Sequence, residues 1–152
     1  MSEDFKNVIV KLLGETFEKP QGTFLDDDTS LLQTLETVSA AEASIPVGGK
    51  CASLAAQVAH IIFFIESFER FALQGDNNPP DWGLIWRTVE KVSQEEWDAL
   101  KNKLRETYQR MQNLFKQNPV WNEATMGGAL SVVIHTAYHL GEIRQALCVL
   151  KK

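Results

Sequence analysis

The chain carries two histidines, His135 and His139, at a spacing that suits metal binding. Residues four positions apart on a helix are surface neighbours, with Cβ atoms about 5–6 Å apart. Both imidazoles can therefore reach a single ion at about 2.0–2.1 Å. The flanking residues are mostly apolar and predict one long helix around the pair. The remaining histidine, His60, also lies in an apolar helical stretch, and the three together predict a three-histidine metal site.

Glu142 lies on the same predicted helix face as the histidine pair. With steps of about 100° per residue, His139 lies about 40° from His135 in projection, and Glu142 lies about 20° on the other side. A carboxylate there can be a fourth ligand, a general base, or an acceptor that orients an imidazole. We take Glu142 as the candidate catalytic residue, acting as base or as that acceptor. Thr136 follows His135, so the pair lacks the zinc-protease glutamate and does not predict a metalloprotease.

The elements that must position these residues are helical, since helical spacing of apolar residues recurs and strand-like alternation is almost absent. Five helices are predicted, at about residues 3–17, 30–40, 51–73, 93–116 and 125–150. Ser93-Gln-Glu-Glu96 reads as a capping box, and Gly75 is a suitable end for the third helix. Segments two to five predict an all-α, antiparallel four-helix bundle with the first helix as an N-terminal addition, in one domain, 1–152.

His60 makes the metal interpretation stronger, because two facing bundle helices can bring it to the histidine pair. Three neutral imidazoles leave an open coordination position, as catalytic metal sites do. Two alternatives stay open. One is a metal-binding or stress-associated bundle without turnover, a homodimer through its helical faces. The other is a purely structural role for the three histidines, with no metal.

Composition argues against several classes of function. The formal net charge of −5, with scattered lysines and arginines, does not fit a nucleic-acid-binding surface. The N-terminus lacks the pattern of a signal peptide, and the longest stretch without formal charge, 124–141, is too polar for a membrane span. We therefore expect a cytoplasmic protein that contacts neither nucleic acid nor membrane. Cys51 and Cys148 have apolar neighbours and are expected to be small buried residues.

Aromatic residues flank the predicted site in the sequence. Trp82 and Trp86 lie one helical turn apart after a Pro-Pro pair. They can form a cluster that covers one end of the bundle, or a lid or pocket wall above the metal, and Trp121 can join them. Tyr138 points about 100° away from His139 in projection, which predicts a place in the core.

The order of these motifs resembles the DinB/YfiT-like metalloenzyme superfamily. Its members have a four-helix bundle with one histidine on the second helix and a His-x-x-x-His pair on the last. The matching segments here are Ala55-Ala-Gln-Val-Ala-His60-Ile and His135-Thr-Ala-Tyr-His139-Leu-Gly-Glu142. The resemblance spans about residues 30–150, most of the chain. It departs from the family at Glu142, where the family more often has glutamine.

The resemblance implies a function as well as a fold. By it, His60, His135 and His139 are the ligands of a divalent metal ion, with zinc and nickel the leading choices. It implies metal-dependent chemistry on a small electrophilic molecule, either transfer of a low-molecular-weight thiol or hydrolysis. The carboxylate of Glu142 in place of an amide leaves the transfer of that activity to this chain open.

Overall fold

The computed structural model describes residues 2–118 and 120–151, and these contain helices and loops but no β-strand. The prediction of an all-α chain is therefore confirmed for this part of the protein. The helices in chain order are α1 (Ser2–Phe17), α2 (Leu31–Glu36), α3 (Ala40–Ala43), α4 (Leu54–Gln74), α5 (Leu84–Thr88), α6 (Gln94–Gln117) and α7 (Glu123–Leu150), with a 3₁₀ turn at Val47–Gly49.

The four long helices pack against one another in pairs, since α1 and α4 each contact both α6 and α7. The prediction that the first helix is an addition to a bundle of the later segments is wrong. α1 buries Ile9, Leu13 and Phe17, which lie four residues apart on one face. The Phe17 ring also stacks on the Tyr108 ring of α6 at 4.9 Å. Through this apolar stripe, α1 packs against α6 and α7 as part of the core.

The predicted helix at 30–40 is instead two short helices, α2 and α3, separated by a break. Trp97 donates its indole N–H to the carbonyl oxygen of Val38 at 2.8 Å, so that carbonyl is used by a side chain of α6. Ser39 then begins α3 through a capping box in which it and Glu42 satisfy each other's backbone N–H groups. The two interactions explain why an apolar pattern that suggested one helix does not form one.

The ends of the long helices follow their sequence signals. The capping box of Ser93 and Glu96 begins α6, as predicted. Gly75 ends α4 in the left-handed conformation at φ 64°, which glycine adopts without steric cost. Asn122 and Thr125 form a further capping box at the start of α7. These caps set the ends of three long helices, of which α4 and α7 carry the three histidines.

One buried carboxylate ties α1 to the loop that follows it. Glu15 has no exposed surface. Its Oε1 accepts the backbone N–H groups of Thr23, Phe24 and Leu25 at 3.0, 2.9 and 2.9 Å. Burial raises the pKa of this carboxyl, but these hydrogen bonds outweigh it and lower the pKa to about 2. Glu15 is therefore ionised and fully paired at neutral pH.

Two further features bear on the sequence predictions. Cys51 and Cys148 are exposed free cysteines, so the expectation that they are buried is wrong.

Within residues 2–118 and 120–151, no single helix has the length and apolar character of a membrane span. One sharply bent pair, Ala40–Gly49 with Leu54–Gln74, meets the criteria of length and composition alone.

Candidate metal centre

The three predicted ligands come together where α4 packs against α7. His60 lies in the second turn of α4, and His135 and His139 lie one turn apart on α7. A nitrogen from each ring lies within 4.8 Å of a nitrogen from each of the others. His60 and His139 are buried, and His135 is partly buried. The cluster can therefore hold a metal ion, as the spacing predicted.

The distances within the cluster suit a small divalent ion. The Nε2 atoms of His60 and His135 are 3.2 Å apart. Two nitrogens bound to one tetrahedral zinc ion at about 2.0–2.1 Å would be about 3.3–3.4 Å apart. The ring of His139 lies 4.9 Å from that of His60 and 4.6 Å from that of His135, edge-on to both. The three rings thus converge on one point from two helices.

His139 is oriented by two acceptors. Its Nδ1 lies 2.8 Å from the Oε1 of Gln57 and 2.8 Å from the Oε2 of Glu142. Because both partners are oxygen acceptors, Nδ1 carries the proton and donates it, which leaves Nε2 with its lone pair free. Metal-binding histidines in proteins usually have such an acceptor on the second nitrogen, since it fixes the tautomer and the ring orientation.

His60 and His135 are held by aromatic rings instead. Phe64 stacks on His135 at 3.8 Å with 13° between the ring planes. Trp86 lies over His60 at 4.3 Å. The Nδ1 atoms of both histidines are buried and have no hydrogen-bond partner. The two rings are thus positioned by packing, and their Nε2 atoms face each other.

The protonation states suit metal binding. Burial, and to a lesser extent the neighbouring His139, lowers the pKa of His60 and of His135 to about 4. Burial also lowers the pKa of His139, although the charge of Glu142 acts in the opposite direction. All three imidazoles are therefore neutral at pH 7, which is the form that coordinates metal.

Glu142 lies at the partly exposed edge of the cluster. Its carboxylate hydrogen-bonds the hydroxyl of Tyr138, which raises the pKa of that phenol. Tyr138 is 62% exposed, so the prediction that it belongs to the core is wrong. Tyr138 directly precedes His139 on α7, and its side chain lies at the surface beside the cluster. Glu142 thus links a buried ligand to a surface phenol.

Trp82, Trp86 and Trp121 divide between two places. Trp86 of α5 covers His60, and Trp82 lies 5.7 Å from Phe64, which is the placement expected of a pocket wall beside the histidine cluster. Trp121 does not join them, because its ring contacts Phe5 and Phe115. The sequence alone did not distinguish Trp121 from Trp82 and Trp86, because all three are the same residue type.

Gln57 is the site residue to which the sequence assigned no role. It lies three residues before His60 on the same face of α4, and it is buried. The available signal was a polar side chain in an otherwise apolar helix, on the histidine face. Phe64 lies one turn after His60 on the same helix, and its ring stacks on His135.

Comparison with known proteins finds no matching family model, no matching curated protein and no matching solved structure.

Proposed function

We propose that His60, His135 and His139 bind one divalent metal ion, zinc or nickel, as the centre of a metal-dependent enzyme of the DinB/YfiT-like type. The observation that carries the proposal is the convergence of three neutral imidazoles from two packed helices, with Nε2 atoms of two of them 3.2 Å apart. The Nε2 atoms of His60 and His135 face each other, and a bound ion would accept the lone pair of each.

The chain's own residues would prepare the site in three ways. Gln57 and Glu142 hold the His139 tautomer that presents Nε2. Phe64 and Trp86 fix the other two rings and keep water from their faces. The lowered pKa values mean that no proton must leave the imidazoles at neutral pH.

A divalent ion held by three histidines lowers the pKa of a bound water or thiol and so supplies a nucleophile at neutral pH. We propose a small electrophilic molecule as the substrate. A low-molecular-weight thiol or water forms a bond to its electrophilic atom, while the bond from that atom to the leaving group breaks and the leaving group takes the electron pair. Glu142 is the carboxylate in contact with the cluster, and in this proposal it accepts the proton that the nucleophile loses. It also orients His139, so one residue would serve both purposes.

Metal content tests the proposal. Protein purified, stripped with a chelator and reloaded with zinc or nickel is expected to hold one ion per chain. His135→Ala should weaken binding by well over about tenfold, because it removes a ligand. The matched control is Ile134→Ala, at a neighbouring residue of α7 that is 63% exposed, and it should bind as the unchanged protein does. Absence of stoichiometric metal, or equal binding by His135→Ala, would contradict the proposal.

One observation favours a second candidate function, a metal-binding dimer without turnover. Leu130, Ile134 and Tyr138 form an exposed apolar row on α7 at four-residue spacing, next to the histidines. A second copy packed on this row would cover the cluster. Addition of a thiol to the cobalt-substituted protein separates the two candidates, because a change in the visible spectrum requires an open coordination position. A dimer in solution with no spectral change would favour the second.

A further inference from the structure

A cavity lies beside the histidine cluster, where α4 begins. It has a volume of about 580 Å³, within the range of about 300–1,000 Å³ that is usual for small-molecule sites. Ala56 in its wall precedes His60 by one turn of α4, about 6 Å along the helix axis. Trp86 also lines the cavity, and its ring lies 4.3 Å from the ring of His60. Trp86 is therefore a wall that the cavity and the cluster share.

The cavity carries an excess of positive charge on a protein that is negative overall. Lys50 and Lys91 line it, and Glu90 is the one acidic residue among the described residues of its wall. The whole chain, in contrast, has a formal net charge of −5. A local excess of positive charge attracts small anions, so this cavity favours an anionic ligand where most of the surface repels one.

The two lysines are available to a ligand. Both are exposed, and neither forms an ion pair or a hydrogen bond with any residue that the structure describes. Lys103 on α6 differs, because its ammonium group pairs with Glu66 at 3.1 Å. Lys50 and Lys91 can thus give hydrogen bonds and charge to an anionic group without breaking an existing ion pair.

The rest of the wall suits an apolar body. Pro46, Ala56, Trp86 and Val89 contribute to it, and Trp86 is 40% exposed, so a ligand can reach its ring. An aromatic side chain offers a large contact area of this kind. The cavity therefore combines a cationic rim with an apolar wall that leads to the cluster.

We propose that this cavity binds a small organic anion as the substrate of the metal centre. The carboxylate of that molecule lies between Lys50 and Lys91, and its apolar part lies against Trp86, which directs its other end towards the histidines. The role as substrate pocket rests on the function proposed above. The binding of the anion itself needs no metal.

Two probes that differ in one charge test the anion site on the full chain after chelator treatment. Phenylbutyrate carries a carboxylate, and phenylbutyramide has a neutral amide in its place. In ¹⁵N-labelled protein at low ionic strength, phenylbutyrate should bind saturably and move the indole signal of Trp86, but not that of Trp97, which is buried in the core. The amide should bind about three- to tenfold more weakly, as two exposed ion pairs predict, and added salt should reduce the difference.

Variants of the charged residues assign the preference to this cavity. Lys50→Gln/Lys91→Gln should bind the acid and the amide about equally. The matched control is Lys11→Gln/Lys19→Gln, which makes the same change of net charge at two exposed lysines outside the cavity, and it should keep the preference. Glu90→Gln should tighten phenylbutyrate binding by about twofold, because it removes a like charge.

Cobalt-loaded protein tests the link to the histidines. The protons of bound phenylbutyrate should be shifted by paramagnetic cobalt and not by zinc, because the ligand lies beside His60. Stoichiometric cobalt without such shifts would overturn the role as substrate pocket.

The anion site is overturned if the chelator-treated protein shows no saturable binding, or if the two lysine double variants prefer the acid equally. Failure of the metal site gives a different result. Protein that binds phenylbutyrate with the expected preference but takes up no metal would contradict the function proposed for the histidines, and the role as substrate pocket with it, while the anion site would stand.

Discussion

Glu15 and the histidine cluster are two buried polar centres that the fold treats in opposite ways. The Glu15 carboxylate accepts three backbone N–H groups from one loop, so its hydrogen-bonding capacity is met within the chain. In the cluster, two histidines direct nitrogen atoms at each other at 3.2 Å and leave their Nδ1 atoms without partners. Only His139 has its second nitrogen satisfied, by Gln57 and Glu142.

Such a difference is expected between a polar group that stabilises the fold and one that binds a ligand. A buried charge that is fully hydrogen-bonded adds stability, and removing it is costly. A group of buried imidazoles with unmet hydrogen-bonding capacity weakens the fold. The histidine cluster should therefore differ from Glu15 in its thermodynamic response as well as in its geometry.

The largest effect on folding is expected for Glu15→Gln. The amide retains one acceptor oxygen but loses the charge and places N–H donors near the loop's own N–H groups. We expect the free energy of unfolding to fall by about 2–4 kcal/mol, since charge-assisted hydrogen bonds are the strong ones. Urea denaturation measures it. The control is Glu90→Gln, at an exposed residue, with a change within about 0.5 kcal/mol. Equal effects in the two variants would remove the contrast between the centres.

The second prediction concerns the acceptors of His139. Glu142→Ala should weaken metal binding by about tenfold, equivalent to about 1.4 kcal/mol, because it removes one of the two acceptors that orient the His139 ring and leaves only Gln57. Glu142→Gln should keep most of the affinity, because its amide oxygen can still accept the Nδ1–H. Competition with a chelator of known affinity measures both. If the two variants lose affinity equally, charge rather than orientation is what Glu142 supplies.

Acid should affect the two centres in different pH windows. In the metal-free protein the pKa values of His60 and His135 are lowered from 6.5 to about 4. Unfolding therefore takes up protons between these values, and stability declines as the pH falls from about 6.5 to about 4. The pKa of Glu15 is lowered from 4.5 to about 2, so its contribution is lost over that lower range. We expect a melting temperature at pH 5 about 4 °C or more below that at pH 7.

Removing His60 and His135 together should remove most of the loss of stability in the upper pH window and leave the loss in the lower one. The double variant His60→Leu/His135→Leu should show a much smaller fall in melting temperature between pH 7 and pH 5, with His139 as the remaining contributor. Glu15→Gln should keep the decline in that range. A double variant that remains as acid-sensitive as the unchanged protein would show that other groups cause the upper decline.

The smallest effect is expected for the same double variant at pH 7 without metal. Replacing two incompletely paired imidazoles by apolar side chains should leave the free energy of unfolding within about 1 kcal/mol of the unchanged protein, or raise it. Denaturation after chelator treatment measures this. A loss of several kcal/mol would mean that the histidines act as Glu15 does, as structural groups.

The sequence was informative where chemistry depends on local spacing. The separation of His135 and His139 along one helix follows from helix geometry alone, and His60 was marked by its apolar surroundings. The partners that complete these sites depend on contacts between helices. Gln57 reaches His139 across α4 and α7, and no spacing within one helix reveals that contact.

The predictions about the helix at 30–40 and about the place of the first helix were wrong for a similar reason. The break between α2 and α3 depends on Trp97, which is 59 residues from the Val38 carbonyl that it binds. The place of α1 depends on how its apolar face meets α6 and α7. Glu15 looks like any helical glutamate in the sequence, because the loop that it binds begins eight residues later. Pattern and spacing predict the elements, but tertiary contacts decide their partners.

The coordination shell of the zinc-loaded protein tests the central claim most directly, and X-ray absorption at the zinc edge measures it. We predict three imidazole nitrogens at about 2.0–2.1 Å, with one imidazole lost in His139→Ala. A shell with sulfur at about 2.3 Å, or with fewer than two imidazoles, would contradict the account.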